Sequence, residues 1–207
     1  MGRYTGPKNR LARREGQDLG LKTVGSKAHA SLLRRINIAP GIHGQQRKRR
    51  KPSEFGLQLR EKQKAKRIYG LLEKQFRRYF TIARKKKAST GESLLQALET
   101  RLDNVLYRLN LVPTSAAARQ LVSHGHIQVN GRKVNIPSYA VKKDDIITLS
   151  DKALKIPVIT KLLEDKNPNL PSWLTRKGPV GKVLNIPKRD QIETEIDEQQ
   201  IVESYSR

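Results

Sequence analysis

Apolar positions are sparse over the first fifty residues and then fall into a helical rhythm. From Met1 to Arg50, Leu11, Leu19, Leu21, Val24, Leu32, Leu33 and Ile36 stand isolated among Gly, Pro, Asn, Arg and Lys. They show no sustained period, so this stretch alone buries too little surface to fold. Between Pro52 and Lys87 the pattern changes: Leu72, Phe76, Tyr79 and Ala83 recur at steps of four, three and four, the stripe of an amphipathic helix. Leu57 to Tyr69 reads as an earlier helix, with Ser53 as N-cap and Gly70 ending or bending it. Its outer face is predicted to carry Arg60, Lys62, Lys64, Lys66 and Arg67, which makes the pair a helical hairpin with a basic exterior.

A second unit follows the turn at Ser89, Thr90 and Gly91. One helix is predicted from Leu94, Leu98, Leu102, Val105, Leu106 and Leu109, with Glu92 in its first turn, where the helix dipole favours an anion. A shorter helix is capped by Thr114 and stopped by Gly125. Ala117, Ala118, Leu121 and Val122 face inward on it, while Ser115, Arg119 and Ser123 share the opposite stripe. Arg119 and Arg101 are thus expected to point away from the core, and replacing either is expected to leave stability nearly unchanged. Apolar alternation on both sides of Asn130-Gly131 signals a hairpin, because a type I′ turn needs positive φ at both central positions. Ile146 to Leu149 reads as a third strand. The fold class is therefore α+β, with two helices packed on a small antiparallel sheet. Beyond Asp151, five prolines at 157, 168, 171, 179 and 187 break any long element.

Charge then points to a partner. Lys and Arg number 43 against 19 acids, a formal net charge of +24. Residues 1–90 hold 26 basic and 5 acidic side chains, net +21, whereas residues 91–207 hold 17 and 14, net +3. Such a surplus implies a polyanion, most simply a phosphate backbone whose condensed counterions are released on binding. The basic extension either threads into a nucleic acid and orders there or remains a solvated tail. No apolar run reaches the length of a membrane span and the N-terminus lacks a signal-type apolar stretch, so no membrane partner is expected. With no Cys, and with His29 and His43 fourteen residues apart without paired ligands, no metal or other cofactor is expected. Among the titratable residues there is no phosphate-cradling Gly-rich loop or nucleophile elbow, so an enzyme is not expected.

The stretch RLDNVLYRLN, followed by SAAARQLVSHGHIQVNGRKVNI, resembles the small RNA-binding module of the ribosomal S-four family. The flanks GRYTGPKNRLARREGQDLGLK, PGIHG, SEFGLQLREKQKAKRIYGLLEKQFRRYF and ESYSR resemble the bacterial, zinc-free branch of that family over nearly the whole chain. The resemblance implies a structural constituent of the small ribosomal subunit that binds its ribosomal RNA as a primary binder. It implies a part in nucleating assembly of the subunit body and in translational accuracy. Further partners implied are the neighbouring ribosomal protein S-five, other small-subunit proteins and messenger RNA near the channel by which it enters, without homo-oligomerisation. The implied location is the ribosome, in the cytoplasm, or in an organelle matrix for an organelle-encoded chain.

The expected organisation is a basic extension at 1–45, a helical subdomain at 46–90, the RNA-binding module at 94–155, a Pro-rich connection at 156–189 and an acidic segment at 190–207 that returns to the helical subdomain. In that last segment Ile192, Ile196 and Val202 are expected to cover part of the Leu72, Phe76 and Tyr79 stripe, with carboxylates offsetting charge on the basic helices. RNA contacts are expected from Arg3, Lys8, Arg10, Arg13, Arg14 and Lys22 in the extension, and from Arg47, Lys48, Arg49, Arg50 and Lys51, which family members place near the messenger channel. The helical subdomain contributes Arg60, Lys62, Lys64, Lys66, Arg67, Lys85, Lys86 and Lys87. The module contributes Arg101, Arg108, Ser115, Arg119, Gln120, Ser123, His124, His126, Asn130, Arg132 and Lys133. Tyr4, Tyr69, Phe76, Tyr79 and Phe80 offer stacking surfaces unless they are core residues. A nucleoid-type DNA-binding protein and an RNA-modifying enzyme are the alternatives. RNA-over-DNA preference separates the first, and the missing catalytic residues weigh against the second.

Overall fold

The short apolar residues near the N-terminus do form helices, because they pack together and against a later one. A computed structural model describes residues 2, 4–44, 53–86, 88–165 and 168–206. It divides into two compact units, Met1–Gly91 with Glu195–Arg207, and Glu92–Thr194. In the first, α1 (Lys8–Glu15) and α2 (Lys27–Arg34) bury Ala12, Leu19, Leu21 and Leu32. Leu11 and Ile68 flank this cluster, and Ile68 belongs to α3 (Glu54–Ile68). The expectation of a structureless extension is therefore corrected for its described residues: apolar groups too few to fold alone find their cover on α3.

Ser53 caps α3 by accepting a hydrogen bond from the Gly56 amide at 3.2 Å. The next helix, α4 (Glu73–Arg84), buries Phe76, Phe80 and Ala83. Leu72, expected on that stripe, is instead its N-cap and is 42% exposed. At the end of the chain α10 (Glu198–Ser206), numbered after the elements of the second unit, returns and packs on α3.

In the second unit the leucine stripe is split between two helices, α5 (Thr90–Glu99, which begins in the first unit) and α6 (Leu102–Arg108). The single helix expected there breaks because Arg101 is extended and bridges Ala140. The amides of Leu102 and Asp103 then donate to the carbonyls of Tyr139 and Pro137, outside the helical ladder. Next, α7 (Ser115–Ser123) is capped by Thr114, whose hydroxyl accepts from the Ala117 amide at 3.2 Å. The hairpin of β1 (Ile127–Val129) and β2 (Arg132–Val134) turns on Asn130 and Gly131 at φ 51° and 75°, as a type I′ turn requires.

The segment expected as a plain Pro-rich connection adds real structure. After β3 (Ile146–Leu149) come the short α8 (Asp151–Leu154) and α9 (Pro157–Leu163), whose N1 proline lacks an amide that would be unpaired anyway. Then β4 (Leu174–Lys177) and β5 (Val180–Val183) widen the sheet to five antiparallel strands in the order β2-β1-β3-β5-β4. Its buried face meets Leu102, Val105, Leu106, Leu109 and Val122, with Trp173 only 1% exposed in the same core. Among the described residues no helix is long and apolar enough to cross a membrane.

Candidate nucleic-acid interface

Three arginines predicted to project toward RNA are bound up in carboxylates. Arg101 is 2% exposed and grips Asp103 as a fork, Nε to Oδ1 at 3.0 Å and Nη2 to Oδ2 at 2.7 Å. Arg119 reaches the same carboxylate from α7, its Nε and Nη2 donating to Oδ2 at 3.0 and 2.8 Å. Arg108 clasps the buried Glu99 through Nε at 3.1 Å and Nη2 at 2.8 Å, while Asn104 donates to Glu99 Oε2 at 2.6 Å. The expectation that these guanidinium groups stand free on the surface is thus corrected. They tie α5, α6 and α7 to one another, because a buried charge is tolerable only when paired and hydrogen-bonded. Asp103 also lies in the first turn of α6, where the helix dipole favours an anion.

What this frame presents outward is a compact polar edge. Gln120, Ser123, His124, Arg132 and Lys133 are exposed, and His126 and Ser115 are half-buried. Gly125 ends α7 at φ 70°, and a side-chain carbon there would meet Lys133 Cε at 2.2 Å and Nζ at 2.9 Å. The Lys133 ammonium therefore lies across the end of α7, where helix carbonyls favour a cation. The His124 and His126 rings are 6.2 Å apart beside it. Asn130, also exposed, shapes the turn: its side-chain amide donates to Asp145 Oδ1 at 2.8 Å and its side-chain oxygen accepts from the Ile146 amide at 2.9 Å.

The first unit also departs from the expected basic exterior. On α3, Arg60 and Arg67 pair with Glu15, Lys64 with Glu61, and Lys62 and Lys66 with Glu73. Burial pushes the Glu15 carboxyl up from its ordinary value, against the pull of Arg67 and Arg60. These lysines and arginines are half-buried or buried, so the face that reads as basic in sequence is largely neutralised in the fold. Arg13 holds a loop, donating to the carbonyls of Ile38 and Ala39 at 2.9 and 3.1 Å. Arg10, Arg14, Lys85 and Lys86 are exposed, whereas Lys8 and Lys22 are half-buried. Arg3, Arg47, Lys48, Arg49, Arg50, Lys51 and Lys87 lie outside the described residues. Of the aromatic residues, Tyr69, Phe76 and Phe80 are core, Tyr79 is half-buried and Tyr4 is exposed.

Sequence reasoning missed Lys74, Arg77, Arg78 and Arg84, all exposed on α4. The signal was present, since they fall opposite the Phe76 and Ala83 stripe. It also missed the organising acids Glu99 and Asp103, for which only the pairing geometry is informative.

Comparison with known proteins gives a consistent picture. The family described as Ribosomal protein S4/S9 N-terminal domain matches residues 3–99, and the S4 domain matches residues 100–147. The chain is 55% identical to the small ribosomal subunit protein uS4 of Dictyoglomus thermophilum, over 209 aligned positions that cover the whole of both chains. It is 50% identical to uS4A of Symbiobacterium thermophilum and 49% identical to uS4 of a Thermoanaerobacter species, again over the whole of both chains.

Proposed function

The chain belongs to the uS4 family of small ribosomal subunit proteins, a structural and non-enzymatic family, and on that premise we propose that it is a primary binder of small-subunit ribosomal RNA. The observation that carries this reading is the exposed edge of Gln120, Ser123, His124, Arg132 and Lys133, held by a frame whose own charges are internally paired. A rigid polar edge of this kind selects a folded RNA shape, while phosphate contacts supply affinity. Arg101, Arg108 and Arg119 serve here by orienting the edge. Nucleation of subunit-body assembly, a share in translational accuracy, contact with ribosomal protein S-five and a cytoplasmic ribosomal location follow from the family resemblance. So does a path for messenger RNA along Arg47, Lys48, Arg49, Arg50 and Lys51. Replacing those five by Gln is expected to impair passage through structured messenger more than subunit assembly, and the reverse ranking would refute that path.

The central test is binding of the full chain to small-subunit ribosomal RNA across salt concentrations. Arg132→Gln with Lys133→Gln is expected to lower the slope of log K against log salt by about two, since each phosphate contact contributes about 0.9 on a duplex. An unchanged slope and affinity would remove this edge from the RNA interface.

A further inference from the structure

The turn between β1 and β2 makes two demands on one side chain. With φ 51° at Asn130 and 75° at Gly131, its first position suits Asn, Asp or Gly. Asn130 also ties the turn to the start of β3. Its side-chain amide donates to Asp145 Oδ1 at 2.8 Å, its side-chain oxygen accepts from the Ile146 amide at 2.9 Å, and its backbone amide donates to the Ile146 carbonyl at 2.8 Å. Asp145 is 8% exposed, and its Oδ2 accepts from the Lys142 amide at 2.8 Å. An aspartate at position 130 would set a second carboxylate against Asp145, and a glycine would remove this donor from a buried acceptor. Of the three residue types that suit the turn, Asn alone also serves Asp145.

That choice carries a chemical liability, because a carboxamide followed by glycine is prone to ring closure on the next backbone nitrogen. Nothing lies within 4 Å of the position that a Gly131 side-chain carbon would take, and both residues are exposed to water. We propose that Asn130-Gly131 is a site of spontaneous covalent modification, deamidation, whose rate is set by opening of the bonds to Asp145 and Ile146. The Gly131 nitrogen bonds to Asn130 Cγ, the bond from Cγ to Nδ2 breaks, and ammonia leaves with the proton that the Gly131 amide gives up. Water then opens the cyclic imide at either carbonyl, giving aspartate or isoaspartate, and nothing is oxidised or reduced. While its bonds hold, the carboxamide is fixed toward β3, so ring closure waits for a local opening of the turn. Either product lacks the amide donor and places negative charge beside Asp145. Isoaspartate also adds a backbone carbon within the turn, so Val129 with Arg132 and Gln128 with Lys133 cannot both keep register. Modification therefore releases, irreversibly, the hairpin that carries Arg132 and Lys133.

The test incubates the full chain at mildly alkaline pH and follows position 130 by peptide mass spectrometry, with enzymatic methyl labelling of isoaspartate as a second readout. The folded chain is expected to convert there about a hundredfold more slowly than the same chain in denaturant at the same pH, since three hydrogen bonds of ordinary net strength must open first. Asp145→Ala is expected to speed conversion of the folded chain about tenfold, the loss of one charge-assisted bond. Gly131→Ala, compared in denaturant where the positive φ of the turn is immaterial, is expected to slow it sharply. A variant-free arm raises denaturant below the unfolding transition, where conversion of the unaltered chain should climb in parallel with hydrogen exchange of the Asn130 amide. Equal rates in the folded and denatured chains, or conversion that does not follow that exchange, overturn control by the turn, and an unchanged rate in folded Asp145→Ala removes Asp145 from it. Absence of conversion at position 130 in the denatured chain overturns the site itself.

Discussion

Arg119 donates through both Nε and Nη2 to a single oxygen of Asp103, which leaves the other oxygen to the Arg101 Nε. One carboxylate at the start of α6 thereby fixes α7, the helix whose far end presents the polar edge. The pairing sets orientation: a buried ion pair adds little net stability over an apolar replacement, but breaking it strands a charge.

Asp103→Ala is therefore expected to destabilise the second unit by about 3 to 5 kcal/mol, because the buried Arg101 loses its counter-ion. Denaturant unfolding followed by the fluorescence of Trp173, which sits in that core, measures it. Arg119→Ala is expected to lower both unfolding stability and RNA affinity, where sequence reasoning expects stability to be untouched. Unaltered unfolding in both variants would show that the network does not hold the unit together.

The closing helix is anchored by Tyr205. Its ring stacks on Phe80 at 4.6 Å between centroids, Lys62 Nζ lies 4.8 Å from its centroid, and its hydroxyl donates to Glu73 Oε1 at 2.7 Å. Burial, and then the Glu73 bond, push its pKa upward, so it stays a phenol over the working pH range. Tyr205→Ala is expected to cost about 2 kcal/mol and Tyr205→Phe about 1 kcal/mol. Hydrogen exchange should rise in residues 54–84 and stay unchanged in residues 102–149. Uniform change in both units would count against a local anchor.

This anchor also shows what was legible in the sequence. The return of the C-terminal segment to the helical unit was read from Ile192, Ile196 and Val202; Ile196 is buried and Val202 half-buried, while the buried Ile201 was not part of that reading, and the expected charge pairing across it has another form. The α3 cations take their partners from Glu15, Glu61 and Glu73, and Ile192 is counted in the second unit. Periodicity located α4, α7 and the Asn130-Gly131 hairpin because each declares itself through neighbours in sequence. Partners distant in sequence, such as Glu15 with Arg67 or Asp103 with Arg119, leave no such trace. An arginine reads alike whether it faces water or a buried carboxylate, so the pairing of Arg101, Arg108 and Arg119 with Asp103 and Glu99 was not legible. The strands β4 and β5 were hidden by the flanking prolines and by Gly178 between them.

Arg176 is a support of the same kind that no motif announces. Its guanidinium donates to the carbonyls of Asn110 at 2.9 Å, Leu162 at 2.8 Å and Leu109 at 3.3 Å. It thus closes the ends of α6 and α9, whose last carbonyls lack helical partners. Arg176→Ala is expected to cost about 1 to 3 kcal/mol, the range for polar groups left unsatisfied. Arg176→Lys should recover only part of this, since an ammonium cannot reproduce the planar fork. Full rescue by Lys in unfolding followed through Trp173 would mean that charge alone matters there.

Acid should loosen the first unit through Glu73. Burial acts to raise this carboxyl, but hydrogen bonds from Lys66 and Tyr205, with the charges of Lys66 and Lys62, outweigh it and hold the pKa below the ordinary 4.5. A depressed carboxylate contributes stability that is present above its unfolded pKa and is lost as pH falls through its folded one. Glu15 has the opposite sign: burial raises its folded pKa, so its contribution is complete below 4.5 and diminishes as pH rises through the raised value. The two are separable by substitution. Glu73→Gln should lower the protection of α10 amides at neutral pH and then remain comparatively flat as pH falls below 4.5 and through the lowered folded pKa of this carboxyl. The unaltered chain should begin higher and descend toward the variant across the same interval. Parallel descent of the two would show that Glu73 is not the group whose protonation releases the C-terminal helix.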